Sequence, residues 1–392
     1  MRHLLLGLAI FSLPVSAATE PATIVVTGKP LAELQRDLAR CLAQGCPPTE
    51  DMRLTLAVAE AQFVGGKYRD ARSALKASLQ RHPDAAKSHA PLVAALHRAS
   101  GRISQHYGDR EAALQSTYQI ARAMQEGYGE DSPQLFFARL EAADMMVRTQ
   151  VAGDRIVHAF EDLASQASRM SDPRYASVVE LRRAWFEALR QQYGLAEERL
   201  SRVSATGVSN MALAANVVRM RIAAKRGDEA GTKAMMAAIV RQGASQARPQ
   251  LITKPSIDLG QAPRRMKVAM FKQPDSLEEA DSETDYMNIT SPERTWIDVG
   301  FWIAPDGSVR EAEVLRPDER RWWHARVLDA VSRRQYSSYT APSAEPTVYR
   351  VERFTLNSRF ERPTGTRLAR RESRLEIENL DLTPEQASAS GQ

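Results

Sequence analysis

Two cysteines are the residues whose type and spacing most directly suggest chemistry. Cys41 and Cys46 are five positions apart, and Gly45, Pro47 and Pro48 prevent one regular helix from running through both. In an oxidising compartment the resulting turn would bring the two sulfurs together. The spacing is not Cys-x-x-Cys, and a zinc site would need further ligands nearby. The sequence therefore predicts a structural disulfide.

The sequence lacks several common catalytic and nucleotide-binding motifs. The sequence contains no His-Glu-x-x-His, Gly-x-Ser-x-Gly, P-loop or Gly-x-Gly-x-x-Gly pattern. His82, His89 and His97 are irregularly spaced across a predicted helix break, which does not favour a metal site. The acidic pair Glu278-Glu279 lies in a predicted loop that cannot hold a fixed carboxyl separation. We therefore assign no catalytic, cofactor-binding or metal-binding residue, and an enzyme with an unrecognised site ranks third among the hypotheses.

Composition places the chain among ordinary globular proteins. It has 392 residues, of which 43% are hydrophobic and 26% are charged. The formal net charge of +5 comes from 53 basic and 48 acidic residues that are interspersed along most of the chain. A small, dispersed surplus does not predict a nucleic-acid-binding face, although it allows weak attraction to anionic membrane surfaces.

The N-terminal segment has the pattern of an export signal. The basic pair Arg2-His3 precedes the apolar run Leu4–Leu13, which is too short to span a bilayer comfortably. Small residues then lead up to Ala17. We predict a signal peptide at residues 1–17, cleaved after Ala17 or one residue later, and a periplasmic location. The alternative is an uncleaved segment that anchors the protein in the inner membrane, facing the periplasm.

Helical patterning dominates the first two thirds of the chain. Residues 18–29 form a polar lead with a predicted short strand at Thr23–Val26, and residues 30–242 carry helix-spaced apolar residues with few prolines. Breaks recur roughly every 40 residues, a spacing that indicates stacked helical hairpins. They fall at Gly65-Gly66, Tyr107-Gly108-Asp109, Gly153-Asp154, Tyr193-Gly194 and Gly227-Asp228.

One hairpin has the clearest internal pattern. Within Leu54–Pro83, small and aromatic residues occupy positions where two helices must approach closely: Ala59, Gly66, Tyr68, Ala71 and Leu75, with Pro83 after the second helix. This segment resembles a tetratricopeptide repeat, and the other hairpins keep only the turn. The resemblance implies an all-α, tetratricopeptide-like solenoid over residues 30–242.

The segment at 243–294 loses helical periodicity and is rich in proline. It includes an acidic stretch, Glu278–Asp285, and one strand-like run, Met266–Phe271. We interpret the segment as a linker.

Strand patterning begins at Trp296. Ile297, Val299, Phe301 and Ile303 alternate on one face, and Asp306-Gly307 then gives a strong hairpin signal because glycine tolerates positive φ.

The sequence predicts three further elements after the hairpin turn. A second strand at Ser308–Leu315, a helix at Asp318–Tyr336 and a third strand at Thr347–Leu356 follow. The alternation in the third strand changes phase between Val351 and Phe354, which predicts a bulge.

The residues of this region resemble the TonB C-terminal domain. The resemblance is carried by Val299–Val309, Ala330-Val331, Tyr336 and Tyr349–Val351. It implies a small β-β-α-β module at residues 295–358, so the expected fold class is a helical solenoid followed by a small α+β domain. Arg316–Glu319 departs from the family pattern, as does the helix start at Trp323-His324, so loop contacts of the family do not carry over.

The resemblance also implies a mode of binding. The TonB domain pairs with a short receptor segment by strand addition, and the corresponding edge here would be Thr347, Val348, Tyr349, Arg350 and Val351. The alternative is that Leu356–Phe360 or the tail covers this edge. The tail at 359–392 is predicted to be charged, with a solvated helix near Leu368–Leu380 and a disordered end.

These observations favour an interaction protein. A TonB-type transducer needs a membrane anchor and a long proline-rich span, whereas this chain combines an export signal with helical repeats. The leading hypothesis is therefore a non-catalytic periplasmic scaffold that binds proteins of the envelope, including outer-membrane receptors, without cofactor or nucleic acid. The alternative is a component of TonB-family energy transduction.

Overall fold

The computed structural model describes residues 29–208, 210–241, 249–259, 295–317, 321–339, 348–361 and 370–383. The predicted signal peptide and the two short predicted strands at Thr23–Val26 and Met266–Phe271 lie outside the described residues. So do most of the polar lead, the acidic stretch and the last residues of the tail.

A helical body occupies the chain from residue 31 to residue 241. Its helices are α1 (Leu31–Ala43), α2 (Pro48–Val64), α3 (Tyr68–Arg81), α4 (Ala86–His106), α5 (Arg110–Tyr128), α6 (Pro133–Thr149), α7 (Gly153–Arg169), α8 (Arg174–Leu189), α9 (Tyr193–Ala205), α10 (Met211–Arg226) and α11 (Glu229–Arg241). Pro48 and Pro133 begin α2 and α6, where a proline lacks only an N–H that has no helical partner. The side chains of Asp109 and Ser132 accept hydrogen bonds from free amides in the first turns of α5 and α6.

The helices pack in consecutive pairs, from α2 with α3 to α10 with α11. Further contacts join α2 to α4, and α6 to α8 to α10, so even-numbered helices pack on one another on one side of the hairpins. We call the even-numbered helices the inner layer, because α2 and α4 contact the strand Val348–Glu361 and α10 contacts the strand Leu251–Thr253.

Apolar side chains hold neighbouring pairs together. Tyr68, Ala71 and Leu75 of α3 are fully buried against α2 and α4, and Phe136 and Phe160 are buried in the next cluster along the chain. Burying one such large side chain stabilises the fold by about 1.5–3 kcal/mol relative to leaving it exposed. Small alanines at the crossings allow the helix axes to approach closely.

The C-terminal part, which we call the sheet unit, comprises the described residues between 249 and 383. Its elements are β1 (Leu251–Thr253), β2 (Trp296–Ile303), β3 (Val309–Arg316), a 3-10 turn (Arg321–Trp323), α12 (His324–Ser332), β4 (Gln335–Tyr336), β5 (Val348–Glu361) and β6 (Arg370–Asp381). Four antiparallel strands form a sheet in the order β3-β2-β5-β6, and β1 pairs with β4. The predicted division into a mostly helical part and a small C-terminal sheet region with a helix is thus confirmed.

Each face of the four-stranded sheet packs against helices over part of its area. One face packs against α12 through Ile297, Val299, Phe301, Ile303, Trp323, Val327, Val331, Phe354 and Leu356, all fully buried. Since side chains alternate along a strand, the opposite face of β2 and β5 carries Trp296, Asp298, Arg353 and Thr355. These side chains lie against the helical body.

Two boundaries of the sheet unit differ from the sequence prediction. The predicted helix at Asp318–Tyr336 is shorter, because α12 ends at Ser332 and Gln335–Tyr336 pairs with β1. That pairing recruits Leu251–Thr253, which the sequence assigned to a linker. A strand of three residues is too short to give a recognisable alternation.

The predicted bulge between Val351 and Phe354 was wrong. The pairing of β5 with β2 is uninterrupted from Val348 to Thr355. The apolar pattern changes phase because Glu352 occupies a core-facing position, where Arg334 pairs with it. The change of phase in the apolar pattern thus results from a buried ion pair and not from a β-bulge.

The helix predicted near Leu368–Leu380 was also wrong. Residues Arg370–Asp381 form β6, which pairs with β5 from Glu352 to Glu361. Leu375 and Ile377 pack against the sheet core, whereas Leu380 packs against the helical body. Charged residues between these positions give the segment a helix-like composition, and tertiary contacts decide in favour of a strand.

Candidate functional site

A cluster of buried polar and aromatic residues, which we call the joint, fixes the sheet unit to the helical body. The joint consists of Phe63, Val64, Gly66, Tyr68 and His106 from the body and of Trp296, Asp298, Arg353, Thr355 and Asn357 from the sheet unit.

Arg353 is the centre of the joint and is fully buried. Its Nε and Nη2 donate to the Asp298 carboxylate at 2.8 and 3.1 Å. Its Nη1 and Nη2 also donate to the carbonyl oxygens of Phe63 and Val64, each at 2.6 Å. These carbonyls end α2, where the partial negative charge of a helix C-terminus favours a cation. The guanidinium carbon lies 3.7 Å from the centroid of the Trp296 ring, so the charge is compensated on every side.

The second half of the joint is neutral. Nδ1 of His106 lies 2.6 Å from Oγ1 of Thr355, and the Tyr68 hydroxyl lies 3.5 Å from the same atom. Nδ2 of Asn357 donates to the carbonyl oxygen of His106 at 2.9 Å. Burial and the nearby charge of Arg353 lower the pKa of His106 to about 3, so the imidazole is uncharged at neutral pH. The polar groups satisfy one another, which fixes a single docking geometry.

Gly66 allows the body and the sheet to approach this closely. Its φ of +76° lies in the left-handed region that favours glycine. A Cβ atom at this position would lie 2.6 Å from Nε1 of Trp296. Glycine is therefore required by the turn between α2 and α3 and also by the packing of Trp296.

Beyond the joint, the same sheet face carries an aromatic surface, which we define as Trp302, Tyr349 and Leu315 around Gly300. Trp302 and Tyr349 are opposite each other in the pairing of β2 with β5, and their ring centroids are 4.7 Å apart. Both rings are half-buried, and Leu315 is 41% exposed. A Cβ at Gly300 would collide with Tyr349 and Leu315, so glycine makes room for the pair.

The aromatic surface adjoins an open sheet edge. Leu315 belongs to β3, and within the described residues β3 pairs only with β2. Burial and the charge of Glu313 raise the pKa of Tyr349, which keeps its hydroxyl protonated and able to donate a hydrogen bond. Half-exposed Trp and Tyr beside unpaired strand backbone favour contact with another polypeptide.

The predicted hairpin turn lies where the sequence indicated. Gly307 has a φ of +82°, and a carboxylate oxygen of Asp306 accepts hydrogen bonds from the amide and hydroxyl of Ser308 at 2.9 and 2.6 Å. These bonds lower the pKa of Asp306. The carbonyl oxygen of Gly307 accepts a hydrogen bond from the amide of Tyr336 at 2.8 Å, so the turn supports β4.

The predicted partner edge is covered by another segment of the chain at its last residue, Val351. Thr347 lies outside the described residues, and Val348, Tyr349, Arg350 and Val351 begin β5. Beside them the amide of Leu382 donates to the carbonyl oxygen of Val351 at 2.8 Å, and the amide of Val351 donates to Thr383 at 3.0 Å. The tail thus covers this edge at Val351, which was the alternative that the sequence left open. Of the five predicted residues, Tyr349 belongs to the aromatic surface, through its side chain.

The two cysteines are joined in the structure. Cys41 and Cys46 form a disulfide with their Cα atoms 4.8 Å apart. It connects the end of α1 to the residues just before α2, and Gly45 between them has a φ of +78°. The bridge lies far in sequence from the sheet unit and constrains the start of the helical body.

The joint contains the residues that sequence reasoning missed. Asp298, Arg353 and Thr355 occupy outward positions of their strands, where polar residues are normally assigned to solvent. One signal was available, because Trp296 occurs on the same outward face. A large aromatic beside a charged residue on the supposed solvent face indicates a second covered surface.

Among the described residues, no helix combines the length and apolar character needed to cross a membrane. Within the same residues, no group of three or more His, Cys, Asp or Glu side chains is placed to hold a metal ion.

Comparison with known proteins places the chain in no family. No family profile matches it, and no curated protein matches it significantly. Among solved structures, the crystal structure of BtubC (BKLC) from P. vanneervenii aligns with 59% of this chain and 97% of its own, at 13% identity and a TM-score of 0.42. A likeness of this degree supports no functional conclusion.

Proposed function

We propose that the protein is a non-catalytic scaffold of the bacterial periplasm that binds other proteins, with the aromatic surface as its contact site. The observation that carries the proposal is the pair of half-exposed rings, Trp302 and Tyr349, on a sheet that the joint holds fixed. Rigid aromatic side chains supply a large contact area at low entropic cost, and they are enriched among residues that dominate binding energy.

The surroundings of the pair support a polypeptide partner. Leu315 extends the apolar area to the edge strand β3, and β3 offers unpaired backbone groups within the described sheet. An extended segment added to β3 would gain backbone hydrogen bonds there and side-chain contacts at Leu315. The partner edge proposed here is thus β3, in place of the edge predicted at Thr347–Val351.

The proposal includes a family assignment for each of the two parts of the protein. We infer that the helical body is tetratricopeptide-like, supported by complete burial of Tyr68, Ala71 and Leu75 at the positions that such a repeat reserves for packing. We infer that the sheet unit is a variant of the TonB C-terminal module, supported by the order strand, Asp-Gly hairpin, strand, helix, strand. The export signal at 1–17 provides the periplasmic location.

Site-specific photo-crosslinking tests the proposed contact. A photoreactive phenylalanine analogue would replace Leu315, and a matched control would replace Leu195, which is 48% exposed on α9. In a Gram-negative host that exports the protein, we expect a discrete crosslinked product from position 315 that is lost when Trp302→Ala is added. Identical products from both positions, or none from position 315, would contradict the proposal.

Fractionation and N-terminal sequencing test the location. A mature chain that begins at Ala18 or Thr19 and is released with the soluble periplasm agrees with the scaffold. An intact N-terminus retained in the inner membrane would instead favour the energy-transduction alternative, because force transmission requires an anchor.

A further inference from the structure

A second group of charged residues lies away from the aromatic surface, between the inner layer and the sheet unit. We call it the charged cleft and define it as Asp144 and Arg148 of α6, Arg182 of α8, Arg221 of α10, Lys254 after β1, and Glu378 of β6. Three consecutive even-numbered helices each contribute an arginine to it.

The members are close enough to affect one another. Nε of Arg182 lies 3.1 Å from Oδ2 of Asp144, and Arg221 lies within electrostatic range of Arg182. Arg148 lies within electrostatic range of Asp144 in its own helix and of Lys254 and Glu378 in the sheet unit. The six residues therefore form one neighbourhood of charges.

Positive charge is in excess in the cleft. Four basic side chains face two carboxyl groups, because Glu352 nearby is already held by Arg334 through bonds of 2.7 and 3.0 Å. Burial raises the pKa of Asp144 and of Glu378 despite the neighbouring cations. Burial lowers the pKa of Lys254 to about 8, so this ammonium remains largely protonated at pH 7.

Two buried arginine N–H groups have no well-aligned hydrogen-bond acceptor among the described residues. Arg221 is only 6% exposed, and within the described residues its Nε has no hydrogen-bond partner, while Nη2 donates to the carbonyl oxygen of Leu251 at 3.3 Å. The Nε–H of Arg182 is not well aligned with an acceptor either, but the Asp144 carboxylate forms an ion pair with it at 3.1 Å. Among the described residues no carboxylate is placed against Arg221 in this way, so its buried charge and its unused donor would be stabilised by an anion.

The rim of the cleft is partly exposed to solvent. The side chains of Asp144 and Arg182 are 22% and 11% exposed, and Arg148, Lys254 and Glu378 are half-buried. Water can thus reach the rim, whereas the Nε atoms of Arg182 and Arg221 lie below it.

We propose that the charged cleft binds an oxyanion, a carboxylate or phosphate group of a small ligand, through the guanidinium groups of Arg182 and Arg221. A guanidinium presents its donors as a planar fork that matches the oxygens of either group. Arg148 and Lys254 contribute positive charge without contacting the same oxygens. This binding is independent of the protein contact proposed for the aromatic surface.

Calorimetric titration of the full-length mature protein with inorganic phosphate, and separately with succinate, tests the proposal at constant ionic strength. We expect saturable binding of at least one probe, and the arm that saturates identifies the oxyanion. Arg221→Gln should weaken this binding at least tenfold, and Arg182→Gln should do the same. The matched control is Arg122→Gln, which removes an exposed arginine from α5 and should leave the dissociation constant within twofold.

Circular dichroism would establish that each variant is folded. Because two cleft variants are tested, the proposal can still be judged if one of them does not fold. Absence of saturable binding to both probes would overturn the proposal. Equal affinity in folded cleft variants and in the Arg122→Gln control would also overturn it.

Discussion

At the scale of single residues, Arg353 is the side chain on which the assembly most depends. It is fully buried and donates hydrogen bonds to two helix carbonyls and a carboxylate. Its guanidinium also lies over the ring of Trp296. Removing one partner of a buried ion pair is costly because the other charge is left without compensation.

Replacing Arg353 by Met should therefore destabilise the protein by about 3–5 kcal/mol in urea unfolding, since Asp298 would keep a buried charge with one partner fewer. Adding Asp298→Asn should recover part of the loss. The control Arg122→Met, at an exposed pair, should change stability by less than about 1 kcal/mol. A loss of similar size in control and Arg353→Met would contradict the role assigned to the joint.

His106 should give the protein a characteristic pH dependence. Its pKa is about 3 in the folded chain, against an ordinary value of 6.5, so the unfolded chain binds a proton between these values and the folded chain does not. Its contribution to stability is complete above pH 6.5 and is lost as the pH falls towards 3, on the order of 4 kcal/mol.

The measurement is urea unfolding at several pH values for wild type and His106→Gln. The variant should lose less stability than wild type on acidification from pH 7 to pH 4. His97, whose pKa burial lowers to about 4, remains in both proteins and so cancels in the comparison. Parallel pH profiles for the two proteins would contradict the assignment to His106.

At the scale of elements, the sheet core follows from the alternation that the sequence displayed. Phe301 is fully buried between α12 and the strands, so Phe301→Ala should destabilise the protein by about 3–5 kcal/mol. Glu313→Ala on the half-exposed strand β3 serves as the control. A loss below about 1 kcal/mol for Phe301→Ala would show that the register of β2 is wrong.

The disulfide between α1 and α2 closes a very short loop. Chain-entropy estimates for so few residues give a stabilisation of about 2 kcal/mol. The Cys41→Ser, Cys46→Ser double variant should unfold at a correspondingly lower urea concentration. Reductant should lower the stability of wild type and leave the variant unchanged, and an equal response of both proteins would exclude a structural bridge.

Sequence reasoning succeeded where one periodicity ran without interruption. The helical character of residues 30–242 and the strand β2 follow from apolar spacing, and Gly307 lies at the turn between β2 and β3. It failed where tertiary contacts decide the structure, as for β6 and for the three-residue strand β1. The joint escaped detection because its polar residues are buried by a partner 200 or more positions away in the chain, as between His106 and Thr355.

At the scale of the whole molecule, the sheet unit touches the helical body at both of its ends. The joint holds it to α2 and α4, and Ile252 of β1 packs with Val217 and Met220 of α10. The sheet unit therefore spans the inner layer between these two contacts. The charged cleft lies between the sheet unit and the inner layer, and the aromatic surface remains partly exposed to solvent. The two proposed binding sites depend on this single arrangement.

Differential scanning calorimetry of the full-length mature protein tests this central claim most directly. If the joint unites helical body and sheet unit, wild type should unfold in one cooperative transition, with calorimetric and van't Hoff enthalpies in agreement. Arg353→Met should separate the transition into two, as the sheet unit is released before the body. Two transitions in wild type that Arg353→Met leaves unchanged would contradict the account, because the two parts would then fold and act independently.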